Sequence, residues 1–406
     1  MAVIVQKYGG TSVGALDRIA NVARRVSARK DQGNDLVVVV SAMAGETDRL
    51  INLAKEITPI PNEREMDILV STGEQVSIAL LAITLESMGY KAKSYFGWQL
   101  PLTTDSAFGA ARVTDIATDK ISKDLANGAI VIIAGFQGVD ENGDVTTLGR
   151  GGSDTSAVAV AAGLKADLCE IYTDVDGVYT TDPNIVPEAK KIPSIAYEEM
   201  LEMASLGAKV LYIRAVEFAM RHKVPLIVRS SFNDNEGTLV TEESSDMEKE
   251  SVRAVTCSTK EAKITFSGIP DVPGTASQLF GALAEANVVV DVIIQNSSED
   301  GKTDISFTLP LADLDKGLEV CRGVREILGA EKLAGSRDVA KVSIIGLGMR
   351  SHSGVASRMF AALAREGINI EMISTSEIKI SCVIQKKYAE LAVRVLHDVF
   401  ELEKPL

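Results

Sequence analysis

A lysine and two glycines near the start of the chain have the types and spacing needed to bind an anion. Lys7, Gly9 and Gly10 lie in a segment, residues 7–12, that follows a predicted strand and precedes a predicted helix. Glycine lets the backbone approach a ligand closely, and a helix N-terminus favours negative charge. The segment matches neither the P-loop nor the dinucleotide fingerprint. It predicts either another kind of phosphate site or a plain strand-to-helix turn with an exposed lysine.

A second glycine-rich segment, residues 148–155, also precedes an apolar helix. Arg150, at the N-terminus of that helix, suits a carboxylate or a phosphate because its guanidinium can donate two parallel hydrogen bonds. Asp154 stands where an N-cap residue belongs. Capping and catalysis are therefore both open as roles for Asp154.

A third segment, residues 172–183, combines three aspartates with an Asp-Gly turn. Turn chemistry accounts for much of this composition. The hydroxyl and carboxylate groups beyond what a turn needs indicate contacts with ribose, adenine or magnesium.

Four single residues are further candidates. Glu74 is near the predicted start of a long apolar helix, where it is either a capping-box acid or the acceptor of a substrate ammonium. Ser41 and Thr47 follow the second predicted strand, and ligands of parallel sheets bind beyond the carboxyl ends of the strands. Lys209, taken alone, has the sequence context of a surface lysine.

The elements that must position these residues alternate along the first 230 residues. Short β-branched runs predict strands at residues 3–6, 36–40, 129–134, 168–172 and 226–228. Amphipathic stretches predict helices between them, at residues 16–30, 47–57, 72–88, 155–164 and 198–221. This alternation is typical of an α/β fold in which helices sandwich a mostly parallel sheet.

The second half of the chain contains an internal repeat. Residues 274–293 and 354–373 are offset by 80 positions and are identical at 8 of 20 of them. Each copy predicts a compact α+β module of the βαββαβ type. A polar stretch, residues 233–251, predicts a linker between a first domain at residues 1–232 and the two modules.

The strands do not divide evenly between the two modules. The first has room for a closing strand at residues 331–337, whereas the second ends with a predicted helix at residues 388–400. Residues 252–258, just after the linker, resemble a strand without a partner. We expect this strand to complete the second module. The first module is then predicted at residues 261–338 and the second at 252–258 plus 339–406.

Composition argues against several classes of function. The net charge of −14 and the pI of about 4.9 disfavour nucleic acid or an anionic membrane as the partner. The 4 cysteines and 3 histidines have no metal-ligand spacing, so neither a disulfide framework nor a metal site is expected. The longest apolar run, residues 129–136, is much shorter than the roughly 20 residues of a membrane span. We expect a cytoplasmic protein.

Seven segments in order resemble the amino-acid kinase family, and within it the aspartokinases. They are KYGGTSVG at 7–14, VVVVSAMAGETDRL at 37–50, STGEQVS at 71–77, GFQGV at 135–139, TTLGRGGSDTSA at 146–157, YTDVDGVYTTDP at 172–183 and EMLEMASLGAKVL at 199–211. The repeated modules resemble the tandem ACT domains of these enzymes. The resemblance implies an amino-acid kinase fold followed by two ACT domains.

The resemblance also implies a reaction. ATP would phosphorylate the side-chain carboxylate of L-aspartate to give 4-phospho-L-aspartate, the first step toward lysine, threonine and methionine. A carboxylate with a pKa near ~3.9 is already ionised at neutral pH, so the reaction needs no general base. The scarcity of histidine is therefore no obstacle, and catalysis rests on positioning and charge neutralisation. Mg²⁺ would be held mainly by the phosphates of ATP.

Single residues receive roles from the same resemblance. Lys7 and Lys209 correspond to two phosphate lysines, and Asp154 corresponds to the aspartate that holds them. The substrate pocket is implied at Ser41, Thr47, Glu74, Arg150, Gly151, Gly152 and Ser153, with Glu74 facing the ammonium and Arg150 in the loop for the α-carboxylate. The ATP site is implied at Lys7, Gly9, Gly10, Thr173, Asp174, Tyr179, Asp182 and Lys209. Asn184 and Tyr212 depart from the arginine and the histidine that many relatives carry.

The ACT pair implies control by lysine, threonine or both. In the first module, the turn around Asp271 offers amides for an α-carboxylate and an acid for an ammonium. The implied effector site comprises Asp271, Gly274, Ala276, Gln295, Asn296, Asn369 and Ile370. A homo-oligomer is expected through the ACT domains, or a hetero-oligomer with a short ACT-only subunit made from an internal start such as Met247.

Two other functions remain open from the sequence. One is a different amino-acid kinase, acting on glutamate or acetylglutamate. The ACT pair, together with the segments KYGGTS and STGEQ, favours aspartate instead. The other is a non-catalytic amino-acid sensor. The presence of Lys7, Asp154 and Lys209 argues against it, because a sensor could lose them freely.

Overall fold

The structure, a computed structural model, describes residues 1–100, 102–206, 210–243, 252–297, 301–347, 349 and 354–404. The chain divides into two compact units. The first comprises Met1–Val178 and Lys191–Met247, and the second comprises Tyr179–Lys190 and Glu248–Leu406.

The described strands of the first unit form two sheets. They are β1 Val3–Tyr8, β2 Asp35–Val40, β3 Ala92–Tyr95, β4 Leu102–Thr104, β5 Val113–Ile116, β6 Ile130–Ala134, β7 Gln137–Val139, β8 Val145–Thr147, β9 Leu168–Thr173, β10 Ser194–Ala196, β11 Leu226–Ser230 and β12 Thr238–Thr241. The main sheet has the order β10-β12-β11-β9-β1-β2-β6-β3, and only the β11–β12 pair in it is antiparallel. The smaller sheet has the order β5-β4-β7-β8. The predicted mostly parallel sheet is confirmed.

Helices bury both faces of the main sheet. The described helices are α1 Leu16–Asp31, α2 Glu46–Ile57, α3 Glu63–Ser87, α4 Asp119–Ala126, α5 Gly152–Leu164, α6 Tyr197–Ser205 and α7 Ile213–His222. Ile19 of α1 and Ile78 of α3 share one core with Ile4 of β1. The intervening residues Val5 and Val37 are equally buried, and α5 packs against β1, β2 and β9. Burial on both faces explains why these strands are continuous apolar runs.

Three helix boundaries differ from those predicted. α3 begins at Glu63 rather than at residue 72, because the side chain of Asn62 caps it by accepting a hydrogen bond from the Glu65 N–H at 3.3 Å. Glu74 is therefore inside the helix and is not a capping-box acid. α5 begins at Gly152, so Asp154 lies in its first turn and is not the N-cap. The single helix predicted at residues 198–221 is two helices, α6 and α7.

The structure differs from the predicted first domain in two places. β12 lies inside the predicted linker at residues 233–251 and pairs with β10 and β11 of the main sheet. Residues 179–190, predicted within the first domain, belong to the second unit. Both features depend on contacts between distant parts of the chain, which local composition does not encode.

The second unit contains one described six-stranded sheet. Its strands are β13 Ala254–Pro270, β14 Ile293–Ser297, β15 Lys302–Pro310, β16 Lys332–Ile345, β17 Ile370–Thr375 and β18 Lys379–Gln385, in the order β14-β15-β13-β16-β18-β17. Its helices are α8 Thr275–Glu285, α9 Leu314–Arg325, α10 Val355–Arg365 and α11 Ala389–Val399. The expected repeat of strand, helix, two strands and helix is present in both copies.

The long strands β13 and β16 join the two modules. The first part of β13, residues 254–258, pairs antiparallel with residues 341–345 of β16, as expected for the strand that completes the second module. After a bulge, residues 261–267 of β13 pair with the first part of β16. Two separate cores follow from this arrangement, one around Phe266 and Phe307 and the other around Val342 and Leu396. The exact module limits stay a prediction, because both modules fall within one compact unit.

Candidate active site

A cavity of about 340 Å³ opens in the first unit beside the carboxyl ends of β1 and β2. Several loops and helix N-termini converge on it, as expected for a ligand site in a parallel sheet. Ten of the predicted site residues line this cavity: Lys7, Gly10, Ser41, Thr47, Glu74, Arg150, Gly151, Gly152, Ser153 and Asp154. The structure thus brings together site residues predicted from four separate segments.

A buried ion pair forms one wall of the cavity. Lys7 Nζ, at the end of β1, lies 2.5 Å from Asp154 Oδ1, in the first turn of α5. Both side chains are almost inaccessible, at 9% and 3% exposure. The positive end of the α5 dipole also favours the Asp154 carboxylate. The pair fixes an ammonium at the cavity wall, where it can attract a phosphate group without paying for its own reorganisation.

Glycine is required at two points of the cavity wall. A Cβ atom at Gly10 would lie 2.8 Å from the carbonyl oxygen of Ala42, so the turn after β1 can approach the end of β2 only without a side chain. Gly151 has φ of 73°, and a Cβ there would lie 2.1 Å from the ring of Tyr212. Both glycines line the cavity, and a side chain at either position would displace a neighbouring part of its wall.

Among the residues that the structure describes, none forms an ion pair with the carboxyl group of Glu74. It lies in α3 at 3% exposure, and one of its oxygens accepts a hydrogen bond from the Ala42 N–H at 3.0 Å. The second oxygen, Oε2, has no hydrogen-bond partner within the described residues. Burial raises the pKa of Glu74 to about 7, and the Ala42 N–H opposes this rise. A substrate ammonium would satisfy the second oxygen and restore the ionised form.

The loop that carries Arg150 is shaped by left-handed glycines. Gly149 and Gly151 both have φ of 73°, on either side of an exposed Arg150. The guanidinium lines the same cavity as Glu74. A carboxylate and a guanidinium that line one cavity can bind the ammonium and the α-carboxylate of an amino acid.

Phe136 and Tyr212 line the cavity and were missed as site residues from the sequence. Phe136 follows β6 with φ of 70°, a strained conformation for a bulky residue. Its N–H donates to Ser156 Oγ at 3.1 Å, and its carbonyl accepts from the Leu148 N–H at 2.8 Å. Positive φ at a phenylalanine leaves no local signal in the sequence. Tyr212 was noted only as a departure from the family, and its packing on Gly151 depends on tertiary contacts. Met43 and Asp48 also line the cavity.

The predicted nucleotide residues are divided between the two units. Gly9, Thr173 and Asp174 lie in the first unit, and the Gly9 N–H donates to the carbonyl of Tyr172 at 3.3 Å. Thr173 ends β9, and its hydroxyl donates to Asp174 Oδ1 at 3.0 Å. Tyr179 and Asp182 belong to the second unit, so the structure of the first unit does not bring them to Thr173. Lys209 lies outside the described residues.

Asn184, one of the two departures from the family pattern named in the sequence analysis, contacts Asp182. Both its backbone N–H and its side-chain amide donate to Asp182 Oδ1, each at 2.9 Å. The two residues therefore form a local turn. This occupies one oxygen of a predicted ATP ligand, and Asn184 has no positive charge to offer a phosphate.

The predicted effector residues all lie in the second unit. Asp271 is exposed in the turn between β13 and α8, where Gly274 is the N-cap of α8 with φ of 100° and Ala276 is in the first turn. Gln295 and Asn296 are exposed residues of the edge strand β14. Asn369 and Ile370 lie at the start of β17, the opposite edge of the sheet. Within one chain, Gln295 and Ile370 thus lie on opposite edge strands, whereas Asp271 follows the inner strand β13.

The described residues contain no group of three or more His, Cys, Asp or Glu side chains able to hold a metal ion. One described helix, α3, is long and apolar enough to cross a membrane by length and composition. However, 44% of its most apolar window is buried inside the protein. α3 also carries Glu74, and a helix that packs in a protein core meets the same criteria, so this is weak evidence for a membrane span.

Comparison with known proteins gives two family matches. Residues 2–230 match the amino acid kinase family, and residues 264–323 and 342–400 match the ACT domain. An aspartokinase of Pseudomonas aeruginosa is 56% identical over 407 aligned positions, which cover 100% of this chain and 99% of the relative.

Solved structures give the same picture. Aspartokinase III of E. coli, solved in complex with aspartate and ADP in its R-state, is 28% identical with a TM-score of 0.82. The match covers 98% of this chain and 99% of that one. The same enzyme in complex with lysine and aspartate, in its T-state, is 29% identical with a TM-score of 0.78 over 98% and 99% of the two chains.

Proposed function

This chain belongs to the amino acid kinase family and to its aspartate kinases, and from that premise we propose that it transfers the γ-phosphoryl group of ATP to the side-chain carboxylate of L-aspartate. The product would be 4-phospho-L-aspartate. We further propose that this step begins the synthesis of lysine, threonine and methionine, in the cytoplasm.

The observation that carries this proposal is the composition of the cavity wall. The cavity has a fixed ammonium at Lys7, a carboxyl group at Glu74 and a guanidinium at Arg150. An amino acid whose ammonium is bound by Glu74 and whose α-carboxylate is bound by Arg150 leaves its side chain for the third group. A side-chain carboxylate and a phosphoryl group could then meet beside Lys7.

The chemistry asks little of the protein beyond positioning. A carboxylate oxygen of aspartate attacks the γ-phosphorus, a new O–P bond forms, and the bond between the γ-phosphorus and the bridging oxygen breaks to leave ADP. The nucleophile is ionised at neutral pH, so no proton has to be removed. Lys7, held by Asp154 at 2.5 Å, would stabilise the charge on the transferring group. Mg²⁺ would enter with the phosphates of ATP and neutralise part of their charge.

Substrate choice tests the proposal. ADP release, or hydroxamate formation from the acyl phosphate, should be measured with aspartate, glutamate and acetylglutamate at equal concentrations. We expect turnover with aspartate and little with the other two. Preference for glutamate or acetylglutamate would assign the chain to another amino-acid kinase reaction. No turnover with any of them, in protein that binds amino acids, would support a sensor.

We also propose feedback inhibition by lysine, threonine or both. The proposal is supported by the exposed turn at Asp271, the left-handed Gly274 beside it and the exposed polar residues of β14. An effector can inhibit only if it binds the inactive arrangement more tightly than the active one. A variant with Asp271→Ala and Gln295→Ala should keep its turnover and lose inhibition by lysine plus threonine. Unchanged inhibition would place the effector site elsewhere.

Assembly is part of the same proposal. β14 and β17 are the edge strands of the six-stranded sheet, so further strands of another chain can be added there. We propose a homo-oligomer through the ACT domains, or a hetero-oligomer with a short ACT-only subunit. Met247, the internal start that such a subunit would use, lies outside the described residues. Mass measurement of the native assembly, with and without Met247→Leu, distinguishes the two forms.

A further inference from the structure

A buried carboxylate of α3 forms hydrogen bonds to the end of β8, the strand that leads into the Arg150 loop. Asp67 is 1% exposed and has no ion-pair partner within the described residues. Its oxygens accept hydrogen bonds from the Thr147 N–H at 2.8 Å, the Thr147 hydroxyl at 2.7 Å and the Gly109 N–H at 2.9 Å. A buried carboxylate is costly unless such donors surround it, so its place here is specific to these three groups.

An arginine of α7 forms a hydrogen bond to the next residue, Leu148, from another element. Arg214 donates one hydrogen bond to the carbonyl of Leu148 at 2.5 Å and a second to the carbonyl of Ala111 at 2.7 Å. The Ala111 N–H in turn donates to the carbonyl of Thr147 at 2.9 Å. Two residues with opposite charges thus hold two consecutive backbone units by charge-assisted hydrogen bonds.

Residues 149–151, which follow these hydrogen bonds directly, have a backbone that can adopt several conformations. Gly149 and Gly151 flank Arg150, and glycines in left-handed conformations allow a wide range of alternatives. The guanidinium of Arg150 is exposed and has no ion-pair partner within the described residues. Its position therefore depends on the backbone that precedes it.

We propose that Asp67 and Arg214 are positioning residues for substrate, which fix the 147–150 backbone so that Arg150 faces the cavity and meets the α-carboxylate of the amino acid. The naming of that carboxylate rests on the proposed function, whereas the restraint on the loop does not. Asp67 accepts hydrogen bonds from the N–H and hydroxyl groups of Thr147, and Arg214 donates one to the carbonyl of Leu148. Neither Asp67 nor Arg214 is among the residues that line the cavity.

This role predicts a particular kinetic signature. Because Arg150 would contact the α-carboxylate equally in the ground state and the transition state, a displaced Arg150 raises KM for aspartate and leaves kcat nearly unchanged. Asp67→Asn and Arg214→Gln should each raise KM for aspartate about 10- to 100-fold, with KM for ATP unchanged. Arg214→Lys, which keeps the charge but cannot bridge both carbonyls, should give a smaller rise.

Two controls separate positioning from general damage. Asp124→Asn removes a buried acid that accepts from Lys93 at 3.0 Å, elsewhere in the same unit, and should leave KM for aspartate unchanged. In an Arg150→Ala background, Asp67→Asn should add little further loss, because its target is already absent. Full additivity of the two substitutions, or an unchanged KM in Asp67→Asn, would overturn the proposal.

A measurement that does not depend on turnover distinguishes failure of the proposed function from failure of the proposed restraint on the loop. Amide hydrogen exchange of residues 145–152 should accelerate in Asp67→Asn and Arg214→Gln, and not in Asp124→Asn. If wild-type protein fails to phosphorylate aspartate while this acceleration is present, the proposed function fails and the restraint on the loop stands. If exchange of residues 145–152 is the same in all variants, the restraint itself is refuted.

Discussion

At the scale of single residues, the ion pair between Lys7 and Asp154 distinguishes the two roles considered for Asp154. The sequence left Asp154 open between capping and catalysis, since an acid near a helix start serves either role. The structure shows that Gly151 is the N-cap and that Asp154 contacts Lys7 instead. The two roles differ by three residues in where α5 begins, at Gly152 rather than at residue 155, and local patterns rarely resolve helix ends that closely.

The first prediction concerns this pair. Lys7→Ala removes the ammonium that the proposed function assigns to the phosphoryl group, and Asp154→Asn removes the charge that pairs with it. Each should lower kcat about 10²–10³-fold while the far-ultraviolet circular dichroism stays that of wild type. Asp17→Asn, which changes an exposed acid in the first turn of α1, is the matched control and should keep full turnover. Turnover within tenfold of wild type in both site variants would contradict the role.

The second prediction concerns the pH dependence that Glu74 confers. Its pKa of about 7 means that the carboxyl is mostly protonated below that pH in the free protein, although an ammonium needs the ionised form. KM for aspartate should therefore rise as pH falls, by roughly tenfold at pH 6 relative to its value at high pH. Glu74→Gln should show a high KM with no such dependence. Glu86→Gln, at an exposed position of α3, should retain the wild-type profile. A Glu74→Gln profile identical to that of wild type would assign the titration to another group.

Residue types were easier to predict than residue environments. Motif spacing predicted ten residues that the structure brings to one cavity, because parallel strands deliver their carboxyl ends to the same edge. The burial of Glu74, the strain at Phe136 and the contact of Tyr212 with Gly151 arise from packing between distant segments. Spacing along the chain does not carry that information.

At the scale of elements, apolar period and length predicted five of the eight strands of the main sheet and missed β3, β10 and β12. The start of α3 was missed because Asn62, its cap, follows a proline-containing stretch that resembles a loop. The partner of the strand at residues 254–258 could be predicted by counting strands, since the second module lacked a closing strand. Strand counting succeeds here because the duplication reveals what each module requires.

The third prediction concerns α11 and its buried histidine. His397 is fully buried, its Nε2 lies 3.0 Å from the Thr180 hydroxyl, and burial lowers its pKa below the usual value. Since the unfolded chain takes up a proton more readily, this group stabilises the second unit above about pH 6.5 and loses that contribution as pH falls through 6.5. The wild-type melting temperature should drop between pH 7.5 and 5.5 by more than that of His397→Gln. His222→Gln, at an exposed position of α7, should behave as wild type. Equal drops in all three proteins would contradict this linkage.

At the scale of the whole molecule, the polar stretch at residues 233–251 and the repeat separated a kinase portion from tandem modules, as the two family matches also do. Composition could not show that residues 179–190 leave the first unit and enter the second. There Ile185 and Val186 pack into the core of the second module, and the Val255 N–H donates to the Thr180 carbonyl at 2.8 Å. The segment comes directly from a region predicted to bind nucleotide, so it links the two portions of the chain by a route besides the linker.

The fourth prediction tests whether residues 179–190, predicted in the first domain, stabilise the core of the second unit. Val186 is 4% exposed, and Val186→Ala should leave a small cavity that costs about 1–3 kcal/mol. Although residue 186 belongs to the kinase part of the sequence, amide hydrogen exchange should accelerate in β13 and α11 and stay unchanged in β1 and β2. Val38→Ala, at a fully buried position of β2, should produce the reverse pattern. Acceleration in β1 and β2 by Val186→Ala would mean that the segment is stabilised with the first unit, and its assignment to the second core would then be wrong.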